Sequence, residues 1–161
     1  MATDSRARMP GFLAAFDGLT RCLLGAGVRM GPFTLLTVRG RKSGLARTTT
    51  VSLVEDGGRR WVECTTGETE WVRNLRASGM ATLTVRRRTE SVKARELSRE
   101  EAAAFFREVL GPRIRKVPFG TWLVGSQLQS RDILEDPWAA AGRHPVFELR
   151  PAVDGEARDE S

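Results

Sequence analysis

Phe33-Thr34-Leu35-Leu36-Thr37-Val38-Arg39, a break from Gly40 to Gly44, and a run rich in β-branched residues over 48–55 that stops at Asp56-Gly57-Gly58 decide the fold. The first run reads as a largely buried strand. The second ends at an Asp-Gly-Gly turn, a strong hairpin signal because glycine takes the positive φ that tight hairpin turns require. Residues 60–65 complete that hairpin. A second hairpin is expected from 81–86 and 91–96, with Arg86, Arg87 and Arg88 at its turn, and a last strand over 146–149. Six short strands joined mostly by tight turns predict a closed or nearly closed antiparallel barrel, mainly β with helices added.

One helix precedes the strands and two interrupt them. Phe12, Phe16, Leu19 and Leu23 share one face of an N-terminal helix over 10–24. Trp71 and Leu75 share a face of a short helix, with Asn74 beside them. Ser98 and Glu101 form a capping box ahead of Ala102, Phe105, Phe106, Val109 and Leu110, and Gly111-Pro112 is expected to end that helix. It should cover one side of the barrel. Residues 122–134 suggest a further helix, with loosely spaced leucines. Residues 1–150 are read as one domain and 151–161, which are polar, as a flexible tail.

Composition narrows the function classes. The chain has 161 residues, enough for one domain with a real core. No run approaches the roughly 18 apolar residues of a membrane span. No signal peptide is read, so the cytoplasm is the default. Cys22 and Cys64 form no metal-binding pair and are expected to be buried, reduced thiols. The net charge of +6 favours an anionic partner. The arginines are spread along the chain, without a patterned basic face and stacking aromatics, so nucleic acid is not expected. Arg6, Arg8 and Arg21 near the N-terminal helix leave peripheral membrane contact as a minority alternative.

Conventional catalytic constellations are thin, and no catalytic residue is assigned. His144 is the sole histidine, and a lone histidine before a strand is more often structural than catalytic. Glu68 and Glu70 are either general acid–base groups or a solvated loop. The informative stretch is Gly40-Arg41-Lys42-Ser43-Gly44-Leu45-Ala46-Arg47-Thr48-Thr49. Two glycines let a ligand approach the backbone closely. Arg41, Lys42 and Arg47 add three cations, and Ser43, Thr48 and Thr49 add hydroxyls. The set makes either a cradle for a phosphate or carboxylate tail or an ordinary basic hairpin loop.

The series Leu35 to Gly44 with Arg47-Thr48, then Val54 to Gly58, Trp71-Val72-Arg73-Asn74-Leu75, Ala94 to Leu97 and Pro145 to Leu149, resembles the deazaflavin-dependent nitroreductase family. The resemblance covers about residues 12–111 and 144–150. It implies a split β-barrel related to FMN-binding oxidases. It also implies hydride transfer between coenzyme F-420, which carries a phosphodiester and a polyglutamate tail, and an apolar, conjugated small molecule of the quinone, enone or nitroaromatic type. Arg41, Lys42 and Arg47 would meet the anionic tail, with Ser43, Gly44, Thr48, Thr49 and Thr65 around them. Trp71 would pack on the ring and Asn74 would fix the loop. A cofactor that carries the chemistry explains the missing dyad. The family's substrate-side tyrosines have no counterpart, since the chain has no tyrosine. Residues 112–143 match poorly and are read as an insertion that walls a different substrate pocket. Two alternatives stand beside this reading: an FMN- or heme-binding barrel, and a cofactor-independent cyclase or isomerase on the same fold. A homodimer is expected if the small barrel leaves an open edge or groove.

Overall fold

The computed structural model describes residues 33–118 and 131–152. Six strands, β1 (Phe33–Arg39), β2 (Ala46–Asp56), β3 (Arg59–Glu63), β4 (Met80–Val85), β5 (Arg88–Glu96) and β6 (Val146–Pro151), close into an antiparallel barrel in the order β1-β2-β3-β6-β5-β4. β4 returns to pair with β1 through Leu36 opposite Leu83. Each strand therefore has a neighbour on both sides, and the sheet-edge route to a dimer is absent among the described residues. The fold is the mainly β barrel that the alternating sequence predicts.

Alternation sorts the two sides of the wall, because cross-strand partners project from the same face. Leu36, Val38, Val51, Val62, Leu83, Val92, Phe147 and Leu149 fill the inside. The short helix α1 (Glu70–Ser78) stoppers one end of the barrel, adding Val72 and Leu75 to this core. It ends at Gly79, whose left-handed φ of 65° closes the helix and turns the chain into β4.

Outside the wall, Val54, Trp61 and Val146 pack against a helical layer through Ala102, Phe105, Phe106, Leu110, Ile133 and Ala140. That layer begins with α2 (Arg99–Phe105), capped as expected: Ser98 Oγ accepts from the Glu101 amide at 3.2 Å, and the Glu101 carboxylate accepts from the Ser98 amide at 2.9 Å. The helix does not end at Gly111-Pro112. A π-helical turn, Phe106–Leu110, follows α2, and α3 (Gly111–Lys116) continues from it. The wider turn takes up the proline: the Gly111 N–H reaches back to the Phe106 carbonyl, and Pro112 falls in the first turn of α3, where its missing N–H costs nothing. A Cβ at 111 would lie 2.8 Å from the Phe106 oxygen, so this bulge needs glycine.

Two short helices, α4 (Asp132–Glu135) and α5 (Pro137–Ala141), lead into β6. The helix expected over 122–134 is described only from residue 131, where it amounts to α4. β3 stops two residues short of the expected end, and Thr65 lies in the loop that follows. The N-terminal helix with its membrane alternative, Cys22 and most of the tail lie outside the described residues. Among those described, no helix is long and apolar enough to cross a membrane. Cys64 is a buried free thiol.

Candidate cofactor site

The turn between β1 and β2 is built by its glycines. The Gly40 N–H donates to the Leu45 carbonyl and the Gly44 N–H to the Gly40 carbonyl, both at 2.8 Å. Gly44 takes a φ of 69°, a left-handed conformation that glycine adopts without strain. At Gly40 a Cβ would meet Ser43 Oγ at 2.8 Å. Apart from that of Arg41, the side chains of the turn are exposed, while Thr37 and Thr48 share a hydroxyl hydrogen bond of 2.8 Å behind it.

One buried side chain anchors the turn to α1. Asn74, nearly inaccessible, accepts from the Arg41 amide at 3.1 Å and from Arg41 Nη1 at 3.0 Å. Arg41 Nη1 also reaches Glu70 at 2.7 Å. Arg41 thus braces turn against helix rather than standing open. Lys42 and Arg47 are exposed and make no ion pair among the described residues. Trp71 lies at the barrel mouth with its ring 6.2 Å from that of Phe147, half-buried against the core. Thr49 and Thr65 are half-buried.

Glu68 and Glu70, two carboxylates beside a site read as anion-binding, are both neutralised. Glu68 pairs with Arg76, and Glu70 with Arg41 and Arg73. Their hydrogen bonds to Arg76 and Arg41 hold both carboxyls below the usual range. They are therefore structural counter-ions. His144 is also structural in its surroundings: buried under Phe106, its Nε2 lies 3.0 Å from the Asp132 carboxylate. Among the described residues no group of three or more His, Cys, Asp or Glu could hold a metal.

Two buried carboxyls went unmarked in the sequence. Glu148, opposite Trp61, meets Arg59 at 2.9 Å, Arg95 at 3.0 Å and Arg150 at 3.2 Å. Glu63, opposite Ser52 and Val146, has no such partner, and its Oε2 makes no hydrogen bond. Burial alone pushes its carboxyl up to about 7. The sole signal available in the sequence was the alternation of β3, which places Glu63 on the face of Trp61.

The small closed barrel thus carries a glycine-built cationic turn that is clamped from behind and open in front. The exposed ammonium of Lys42 and guanidinium of Arg47, without an ion pair among the described residues, suit a phosphodiester and carboxylate chain. The profile of the F420H2-dependent quinone reductase family matches residues 16–113, well over half of the chain, and the protein belongs to that family. It is accordingly an oxidoreductase that uses coenzyme F-420. No curated protein matches the chain. Among solved structures it aligns with a domain-swapped dimer at 19% identity and TM-score 0.48, over 88% of this chain and 100% of that one. An F420-H2 dependent reductase aligns at 21% identity and TM-score 0.44, over 74% and 94%. An FMN-binding protein related to pyridoxamine 5'-phosphate oxidase, from Nostoc punctiforme, aligns at 15% identity and TM-score 0.47, over 91% and 82%.

Proposed function

We propose that this protein transfers a hydride from reduced coenzyme F-420 to an apolar, conjugated small molecule of the quinone, enone or nitroaromatic type. The observation that carries the reading is the β1–β2 turn, with Lys42 and Arg47 open to solvent and the backbone fixed through Asn74. The deazaflavin, when bound, supplies the hydride chemistry. The chain's own work is positional. Lys42 and Arg47 hold the anionic tail, with Ser43, Gly44, Thr48 and Thr49 lining its path. Arg41 and Asn74 keep the turn from collapsing onto α1. Trp71, seated on Phe147 at the barrel mouth, offers an apolar surface to a ring while Thr65 borders the same mouth.

Fluorescence titration of the purified protein with coenzyme F-420, with FMN in parallel, tests the reading. Saturable binding of the deazaflavin that weakens with salt is expected, because the contacts are charged and exposed. Oxidation of the reduced cofactor on adding a quinone should follow. Binding of FMN in preference, or of neither, would overturn the proposal.

A further inference from the structure

A second concave site lies at the other end of the barrel. The cofactor turn joins β1 to β2, whereas β6 stands three strands away in the barrel order and runs out at the end where β2 turns into β3. There a cleft of about 620 Å³ opens between the start of β3 and the end of β6, a volume ordinary for a small-molecule site. Arg59, Arg60, Arg150, Glu90 and Glu148 give it charged walls, and Leu149 and Pro151 an apolar side. Arg60 is fully engaged, since both its Nη groups bond to Glu90. Arg59 and Arg150 are not. One residue beyond the pairing of Arg60 with Leu149, the register sets them side by side on the outer face, about 5 Å apart at the backbone, where like charges repel. Glu148 answers both with one carboxylate: Oε1 accepts from Arg59 Nε at 2.9 Å and Oε2 from Arg150 Nη2 at 3.2 Å. Arg95 also reaches Oε2, but Glu101 balances it. One positive charge is thus left over between Arg59 and Arg150. The Trp61 ring, 4.9 Å from Arg59 Cζ, steadies that guanidinium further. Both Nη groups of Arg59, and Nε and Nη1 of Arg150, make no hydrogen bond among the described residues. These are ordered donors, more than half exposed, beside a cleft.

We propose that this cleft binds the phosphate group of a small phosphorylated organic molecule, gripped by Arg59 and Arg150, with Leu149 and Pro151 bordering its organic part. A carboxylate is satisfied by one guanidinium fork, whereas a phosphate has three terminal oxygens and up to two charges and suits two adjacent forks. Glu148 is a positioning residue here: it holds the two forks side by side against their repulsion. The site is separate from the cofactor turn and goes beyond the functional reading above.

Titration with phenyl phosphate, followed by calorimetry and by its phosphorus-31 resonance, tests the site. The whole chain carrying Lys42→Ala and Arg47→Ala is used, so that the cofactor turn does not contribute. Binding at one site with a Kd of about 1 mM or tighter is expected. It should weaken as pH falls through about 6, where a phosphate monoester loses its second charge. Adding Arg59→Gln and Arg150→Gln should cost about tenfold or more in affinity. Arg59→Lys with Arg150→Lys keeps the charges, loses the forks and should cost less. Pro151→Glu puts a carboxylate at the edge of the cleft without touching the pairs of Glu148, and should also weaken binding about tenfold. In the otherwise wild-type protein, Pro151→Glu should leave F-420 affinity within about twofold, since the cofactor turn is at the far end of the barrel. Absence of saturable phenyl phosphate binding, or equal binding by the Pro151→Glu variant, overturns the inference and leaves the functional reading standing. A tenfold loss of F-420 affinity in Pro151→Glu would make the cleft part of the cofactor site and overturn it as well.

Discussion

Glu63 and Glu148 stand on the neighbouring strands β3 and β6, both buried on the outer wall of the same barrel, and their surroundings drive them to opposite charge states. Burial raises both. At Glu148 the hydrogen bonds from Arg59 and Arg95, with the charge of Arg150, outweigh it and leave the carboxyl below its ordinary range. At Glu63 nothing opposes burial, and the carboxyl rises to about 7. The first is a hub that ties β3, β5 and β6 together through exposed arginines. The second holds no element to another among the described residues. One buried carboxyl is satisfied and the other is not, and the contrast can be broken experimentally.

The largest effect should come from pH. A Glu63 carboxyl that titrates near 7 in the folded protein but near 4.5 in the unfolded chain binds its proton more tightly when folded. Its contribution is fully present below about 4.5 and is lost as pH rises through about 7. The loss should be on the order of 3 kcal/mol, about 1.4 kcal/mol per unit of difference. Comparing wild type with Glu63→Gln by urea denaturation from pH 5 to pH 8 isolates it, because other carboxyls titrate in both. The difference between the two proteins should widen in favour of the variant as pH rises. A constant difference would show that Glu63 is not desolvated.

At Glu148 the same substitution should have the opposite sign. Glu148→Gln keeps the shape but leaves Arg59, Arg95 and Arg150 without their counter-ion. It should cost about 2 kcal/mol at neutral pH, below the 3–5 typical of a broken buried pair because the arginines remain half in water. The cost should shrink in acid, as the wild-type carboxyl is itself neutralised. A variant as stable as wild type at pH 7 would erase the distinction drawn between the two residues.

Asn74→Ala tests a buried polar group that is itself neutral and is satisfied by hydrogen bonds. It removes the acceptor of the Arg41 amide and of Arg41 Nη1, and should cost between about 1 and 2 kcal/mol. It should also weaken F-420 binding about tenfold, since the turn would no longer be held in place. Unchanged affinity in the titration would remove Asn74 from the proposed cradle.

The legible parts of this molecule were those fixed by local rules. Ser98 and Glu101 announced the start of α2 because a capping box needs residues only three apart. Gly44 and the Asp56-Gly57-Gly58 turn announced the hairpins because positive φ selects glycine. The continuation of the helix through Pro112 was not legible, since a π-helical turn is chosen by the layer it packs in and not by the proline. The pairing of Arg41 with Glu70 joins a hairpin turn to a helix 29 positions away, and spacing carries no trace of it. Alternation put Glu63 and Glu148 on the outer face, but whether an outer face is dry, and whether arginines reach it, depends on what packs there.

The smallest effect should come from a place where charge is neither buried nor paired. The β4–β5 hairpin turns on Arg86 and Arg87, with φ of 50° and 67°, both left-handed and both occupied by side chains that pay for it. Asn-Gly is the favoured pair for such a two-residue turn. If burial, and not charge as such, makes Glu63 and Glu148 matter, replacing these exposed arginines should harm nothing. Arg86→Asn with Arg87→Gly should instead stabilise the protein by about 1 kcal/mol, by relieving the left-handed strain at both positions. F-420 affinity should stay within about twofold, because this turn lies at the far end of β4 from Gly79, and so at the opposite end of the barrel from α1 and the cofactor turn. A loss of affinity comparable to that of a Lys42→Ala, Arg47→Ala double variant would mean that overall basicity, and not the clamped turn, draws the cofactor in.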